Sequence, residues 1–89
     1  MKAVISVIGK DTVGILAKVS AVCAKNNMNI TDVTQSILQD MFVMVMIAET
    51  DKMACSFTEL SEQFDELGKS IGVDIRAMHE DIFNSMHRI

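Results

Sequence analysis

The sequence predicts an α+β, ferredoxin-like βαββαβ sandwich: a four-stranded antiparallel sheet with two helices on one face, plus a short C-terminal helix. Three observations predict it. Apolar periodicity alternates between strand-like and helical along the chain in that order. The first and third strand candidates are apolar at both parities, as the two central strands of this arrangement should be. The chain has 89 residues with no Pro, no linker and no low-complexity stretch, which leaves room for one domain.

Residues 2–9 read as the first strand. Ala3, Val4, Ile5, Val7 and Ile8 are apolar and Ser6 is the one polar interruption, so both faces are expected to be buried. Gly9-Lys10-Asp11-Thr12-Val13-Gly14 breaks the pattern. From Val13 the period turns helical. Ile15, Leu16, Val19, Val22 and Cys23 share a stripe, with Lys18 and Lys25 elsewhere. Asp11 is the expected N-cap, its carboxylate accepting from backbone N–H groups near Val13 and Gly14. Asn26-Asn27 ends the helix, because Asn tolerates the left-handed conformation.

Residues 28–38 return to a strand. Ile30, Val33 and Ile37 are its branched members; Thr31, Asp32, Thr34, Gln35 and Ser36 make it the most polar strand and hence an edge. Gln39-Asp40 suits a hairpin turn, without the Gly of the tightest types. Residues 41–48 are apolar throughout and read as a central strand, followed by a polar connection over 49–52.

Ser56 and Glu59 form an S-x-x-E capping box. Phe57, Leu60, Phe64, Leu67 and Ile71 follow on one helical stripe. Burying those five side chains contributes about 8–15 kcal/mol before entropy costs. Gly72 stops the helix. Val73, Ile75 and Ala77 alternate with Asp74, Arg76 and Met78 as a half-buried fourth strand. Ile82, Phe83, Met86 and Ile89 lie at helical spacing in the tail. The chain divides into a domain over 1–78 and a helical tail over 79–89.

Composition removes several functions. Hydrophobic residues make up 49%, but only 4% are aromatic, with no Trp or Tyr. A net charge of −4 and scattered Lys and Arg provide no positive field for nucleic acid. Phe42 is the one aromatic on the first and third strands, too few for RNA stacking. The longest apolar run, over 41–48, is far short of the ~20 residues of a membrane helix, and the start has no signal-peptide pattern. Cys23 and Cys55 form no CxxC, so they read as free thiols of a cytoplasmic protein. The first loop carries no CxxC for metal carriage. The first Arg is Arg76, so it carries no Arg for acyl phosphate hydrolysis either. No Ser-His-Asp or paired-carboxylate arrangement emerges, so no enzyme and no cofactor is expected.

Several features keep two readings. Gly14, read in the first helical turn, costs about 1 kcal/mol relative to Ala there. It lets a carboxylate approach the positive helix end; alternatively, Gly9 and Gly14 simply let the chain turn and pack closely. The eight Met residues suit an adaptable binding surface or a core. His79 and His87, with Glu80 and Asp81, would converge on a metal if the tail folds back; otherwise they are polar residues around a helix end. Cys23 lies on the apolar stripe and reads as a core filler.

Asp11-Thr12-Val13-Gly14-Ile15-Leu16, then Val19, then Asn29-Ile30 opening the second strand, resemble the signature of the ACT domain over about residues 2–78. The tail resembles that of small single-ACT bacterial proteins. The resemblance implies a non-catalytic regulatory module that binds an amino acid or similar small ligand. In such domains the first loop and helix start of one subunit commonly face the second strand of a neighbour. It implies Gly9, Asp11, Thr12, Gly14, Ile15 and Leu16 on the loop side, and Asn29 and Ile30 on the strand side. The family often has Pro where this chain has Val13, which leaves the loop less preorganised. Similar modules occur in the transcriptional repressor of the glycine cleavage system, which implies a regulated protein partner. The alternatives are a protein-interaction module with a vestigial ligand loop, or a metal-binding protein using His79 and His87.

Two helices cover only one face of such a sheet. The apolar residues of the first and third strands that point the other way need the tail helix or a second subunit. A homodimer or larger homo-oligomer is therefore expected.

Overall fold

The computed structural model describes residues 1–10 and 13–86. The structure follows the expected element order: β1 (Lys2–Lys10), α1 (Ile15–Lys25), β2 (Asn29–Leu38), β3 (Met41–Glu49), α2 (Phe57–Ile71), β4 (Val73–His79) and α3 (Glu80–Met86). The sheet order is β2-β3-β1-β4 and every pairing is antiparallel. The two strands that are apolar at both parities, β1 and β3, lie in the middle, and β2 is an edge.

Strand alternation builds the core. Ala3, Ile5 and Val7 of β1 and Phe42, Met44, Met46 and Ala48 of β3 point to one side. There they pack with Ile15, Val19 and Cys23 of α1 and with Leu60 and Phe64 of α2. Met44 and Met46 are fully buried, so the core reading of these methionines holds. The α1 stripe is narrower than its sequence suggests. Val22 is half-buried and Leu16 partly exposed.

The other face is covered unevenly. Val4 points away from the helices, lies outside that core, and is still only 3% exposed. Its strand is packed by α3, which lies against β1 and β4. Ile8, four residues on, is 42% exposed, as is Met41. Val43, Val45 and Ile47 are half-buried. The expectation that β1 is buried on both faces therefore holds at Val4 and fails at Ile8. The physical reason is reach: α3 has seven residues, roughly 10 Å of helix, too short to span the sheet.

α1 starts differently from the sequence expectation. Gly14 is not in the first turn. It is the cap residue, with a left-handed φ of 85°, and no side chain among the described residues caps this helix end. A helical residue needs φ near −63°, so the helix can begin only at Ile15. The predicted N-cap, Asp11, lies outside the described residues. At the other end Asn27 adopts φ 59°, the left-handed stop that its residue type favours. α2 matches its signature. Glu59 N–H donates to Ser56 Oγ at 3.1 Å, and Ser56 N–H donates to Glu59 Oε1 at 3.2 Å. Gly72 ends it at φ 75°.

β2 contains a bulge between Ile30 and Asp32. In a regular strand residues three apart point to opposite faces. The bulge at Thr31 turns Ile30 and Val33 to the same core side, and both pack against it. Thr31 Oγ1 donates to the Ile47 carbonyl at 3.2 Å. The bulge also sets Gln35 and Ile37 on the helix side, opposite Met44 and Phe42.

Two glycines make room for Val73. A Cβ at Gly9, its cross-strand neighbour, would lie 2.6 Å from Val73 Cγ1, and one at Gly68 of α2 would lie 2.6 Å from the Val73 carbonyl oxygen. Close packing is thus the role of Gly9.

Candidate functional site

α1 begins over the end of the sheet where β1 finishes and β3 starts. β2 is the outer strand there. Between them runs an open groove of about 500 Å³. Gly14, Ile15, Leu16 and Ala17 form one wall and Gln35 and Phe42 the other, with exposed Val13 beside Gly14.

The helix start is open. A Cβ at Gly14 would meet no described residue within 4 Å. The first backbone N–H groups of any helix have no acceptor within it. Among the described residues no side chain caps them, and no acidic residue stands in the first turn. Their partial positive charge suits a carboxylate. The walls are otherwise apolar, and the one polar side chain among the described lining residues is Gln35.

The expected site residues fall into two groups. Gly14, Ile15 and Leu16 line the groove. Gly9 is nearby in β1 but serves packing. Asp11 and Thr12 lie outside the described residues. Asn29 sits at the opposite end of the sheet, on the rung with Lys2 and Glu49, while Gly9 shares a rung with Phe42. The seven residue steps along β1 from Lys2 to Gly9 span roughly 24 Å. Asn29 Nδ2 donates to Glu49 Oε1 at 3.3 Å beside a second groove, of about 430 Å³. The neighbouring Ile30 packs against the core. One chain therefore does not bring the loop side and the strand side together.

Sequence reasoning missed Gln35 and Phe42. Gln35 looked like one more polar residue of an edge strand, and Phe42 like a core residue. A signal for Gln35 existed once the bulge is known, because it interrupts the row Ile30, Val33, Gln35, Ile37.

The other candidates are less connected. The His79 ring stacks on Phe57, centroids 4.3 Å apart and planes 26° apart. His87 lies outside the described residues. Among the described residues no three His, Cys, Asp or Glu side chains gather as a metal site. Cys23 is fully buried, and burial pushes its thiol up to about 11, as a core filler requires. No helix among the described residues is long and apolar enough to cross a membrane.

A ferredoxin-like sandwich with a mostly apolar groove at the start of its first helix has the form of a class: small ligand-binding domains of α+β type. The family follows from comparison. A family model for the ACT domain matches residues 2–78, and the chain belongs to the ACT domain family. Domains of this family are regulatory, ligand-binding modules. A UPF0237 protein of Clostridium acetobutylicum is 46% identical over 89 residues, covering 100% of both chains. An ACT domain protein from Streptococcus pneumoniae superposes with a TM-score of 0.82 at 37% identity, covering 93% of each chain. A formyltetrahydrofolate deformylase from Pseudomonas syringae gives a TM-score of 0.79 at 25% identity, covering 88% of this chain and 27% of that one.

Proposed function

We propose that this protein is a non-catalytic, cytoplasmic regulatory module that binds an amino acid or similar small ligand at a homodimer interface and signals to a protein partner. The observation that carries the reading is the groove at Gly14, Ile15 and Leu16. It has the size for an amino acid, it is apolar along its length, and it ends on the first backbone N–H groups of α1, which no described side chain caps and which suit a carboxylate. A small effector would shift the partner's state only by its differential affinity for the two arrangements.

The dimer supplies the second half of the site. β2 is an edge strand with a free side. Antiparallel pairing of β2 with a second copy reverses its ends. The neighbour's Asn29 and Ile30 then come to the end of the sheet that holds the first loop. Asp11 and Thr12 belong to the loop side of this reading. Calorimetric titration of the folded protein with the twenty amino acids tests it. Heat with at least one at millimolar concentration or below is expected; none with any of them overturns it.

A protein-interaction role has its own support. Ile8, Leu38 and Met41 are exposed large apolar residues on the face away from α1 and α2. Such a patch fits a partner protein or a second subunit. Affinity capture with a variant charged at Ile8 separates the two roles where that variant stays dimeric, since it should then abolish partner recovery and leave amino-acid binding intact.

A further inference from the structure

We infer that Gln35 is the specificity-determining residue of the groove, and that the groove takes an amino acid whose neutral side chain ends in a carboxamide. This rests on the amino-acid reading of the same groove.

Gln35 stands where the strand pattern calls for an apolar side chain. Its row on β2 continues Ile30 and Val33 and runs on to Ile37. The facing row on β3 is Phe42, Met44, Met46 and Ala48. The amide therefore projects on the helix side of the sheet, across the groove from Leu16. Gln35 is exposed, and among the described residues its side chain has no hydrogen-bond partner, so the amide is free to turn to a ligand in place of water. An apolar groove with one polar group is the usual form of a small-molecule site, the polar group fixing orientation and choice.

The chemistry narrows the ligand. An amide offers a donor and an acceptor side by side, so a ligand carboxamide exchanges two hydrogen bonds with it, one in each direction. A charged ligand end placed at Gln35 would give up water against Leu16 and Phe42 and find there a neutral amide rather than an opposite charge. An aliphatic side chain would cover the Gln35 amide and leave it unpaired.

Titration of the full chain with glutamine, asparagine, leucine, glutamate and lysine tests the assignment. It is run on the natural protein, Gln35→Leu and Gln35→Glu, with circular dichroism to establish that each variant is folded. The natural protein should bind glutamine or asparagine about tenfold tighter than leucine. Gln35→Leu should reverse that order, and Gln35→Glu should gain affinity for lysine. Glutamate or lysine binding the natural protein as tightly as glutamine overturns the assignment. So does a glutamine-to-leucine ratio unchanged in Gln35→Leu, which makes Gln35 a solvated edge residue only. Either result leaves amino-acid binding standing, whereas no heat with any of the twenty amino acids overturns both.

Discussion

Asn26 at the end of α1 and Gln63 in α2 exchange hydrogen bonds. Asn26 Nδ2 donates to Gln63 Oε1 at 2.7 Å, and Gln63 Nε2 returns a longer bond to Asn26 Oδ1 at 3.4 Å. Asn26 is buried, and its amide also donates to the Val22 carbonyl at 2.8 Å. One side chain thus closes α1 and ties it to α2. Asn26→Ala should destabilise the protein by about 1–3 kcal/mol, and Gln63→Ala by less, because Asn26 keeps its bond to Val22. Urea denaturation of both variants and of the double variant measures the pair's coupling. Equal, negligible effects would show that the pair is incidental.

Gly68 and Gly14 should each lose stability to the same added methyl group, for different reasons. At Gly68 the Cβ meets a backbone carbonyl oxygen of β4, which cannot rotate away. Gly68→Ala should cost about 1–3 kcal/mol or prevent folding. At Gly14 the Cβ meets open space but a left-handed backbone. Gly14→Ala should cost roughly 1–2 kcal/mol, fold, and weaken amino-acid binding at the helix start. Thermal melts and calorimetry on both variants make the comparison.

Ile8 tests what covers the open face. The natural protein should scatter light as at least a dimer at micromolar concentration. Ile8→Glu should retain the melting behaviour of the fold to within about 0.5 kcal/mol, since the residue is half-exposed. If a second copy covers that face, the charge should also shift the mass toward monomer. A dimer unaffected by the charge assigns the interface to the β2 edge alone, and a monomeric natural protein overturns the dimer itself.

Cys23 gives a pH and reactivity test. Burial raises its thiol from an ordinary value of 9.0 to about 11. The raised value means that the folded state disfavours the thiolate. The stabilisation this implies is fully present below pH 9 and is lost as pH rises through about 11. Cys23 should resist a thiol reagent at pH 8 until the chain unfolds, whereas half-buried Cys55 should react in the native state. Equal native rates for the two thiols would contradict the packing of α1.

Element order was legible because each signal is local. The Ser56 and Glu59 capping box acts within one turn, and Gly72 and Asn27 stop helices through their own backbone preferences. The apolar runs over 2–9 and 41–48 located the central strands because a strand without a polar side needs cover on both. The resemblance to the ACT domain rests on residues 11–16, 19, 29 and 30, and the family match over 2–78 bears it out.

The candidate site was legible only on one wall. Gly14, Ile15 and Leu16 are contiguous and carry a motif. Gln35 and Phe42 join them through the β2–β3 register and the bulge at Thr31, neither of which is written in any single segment. Gly14 was placed inside the helix because sequence periodicity does not report the sign of φ.

By itself, then, the sequence determined the order of elements, the two central strands and the family, since caps, breakers and apolar parity act over a few residues. Only the tertiary structure decided where those elements leave space. It set Gln35 beside the start of α1, put Asn29 at the far end of the sheet, and ended the cover of α3 between Val4 and Ile8. Grooves and uncovered faces come from the register and length of segments distant in the chain, and no local pattern encodes them.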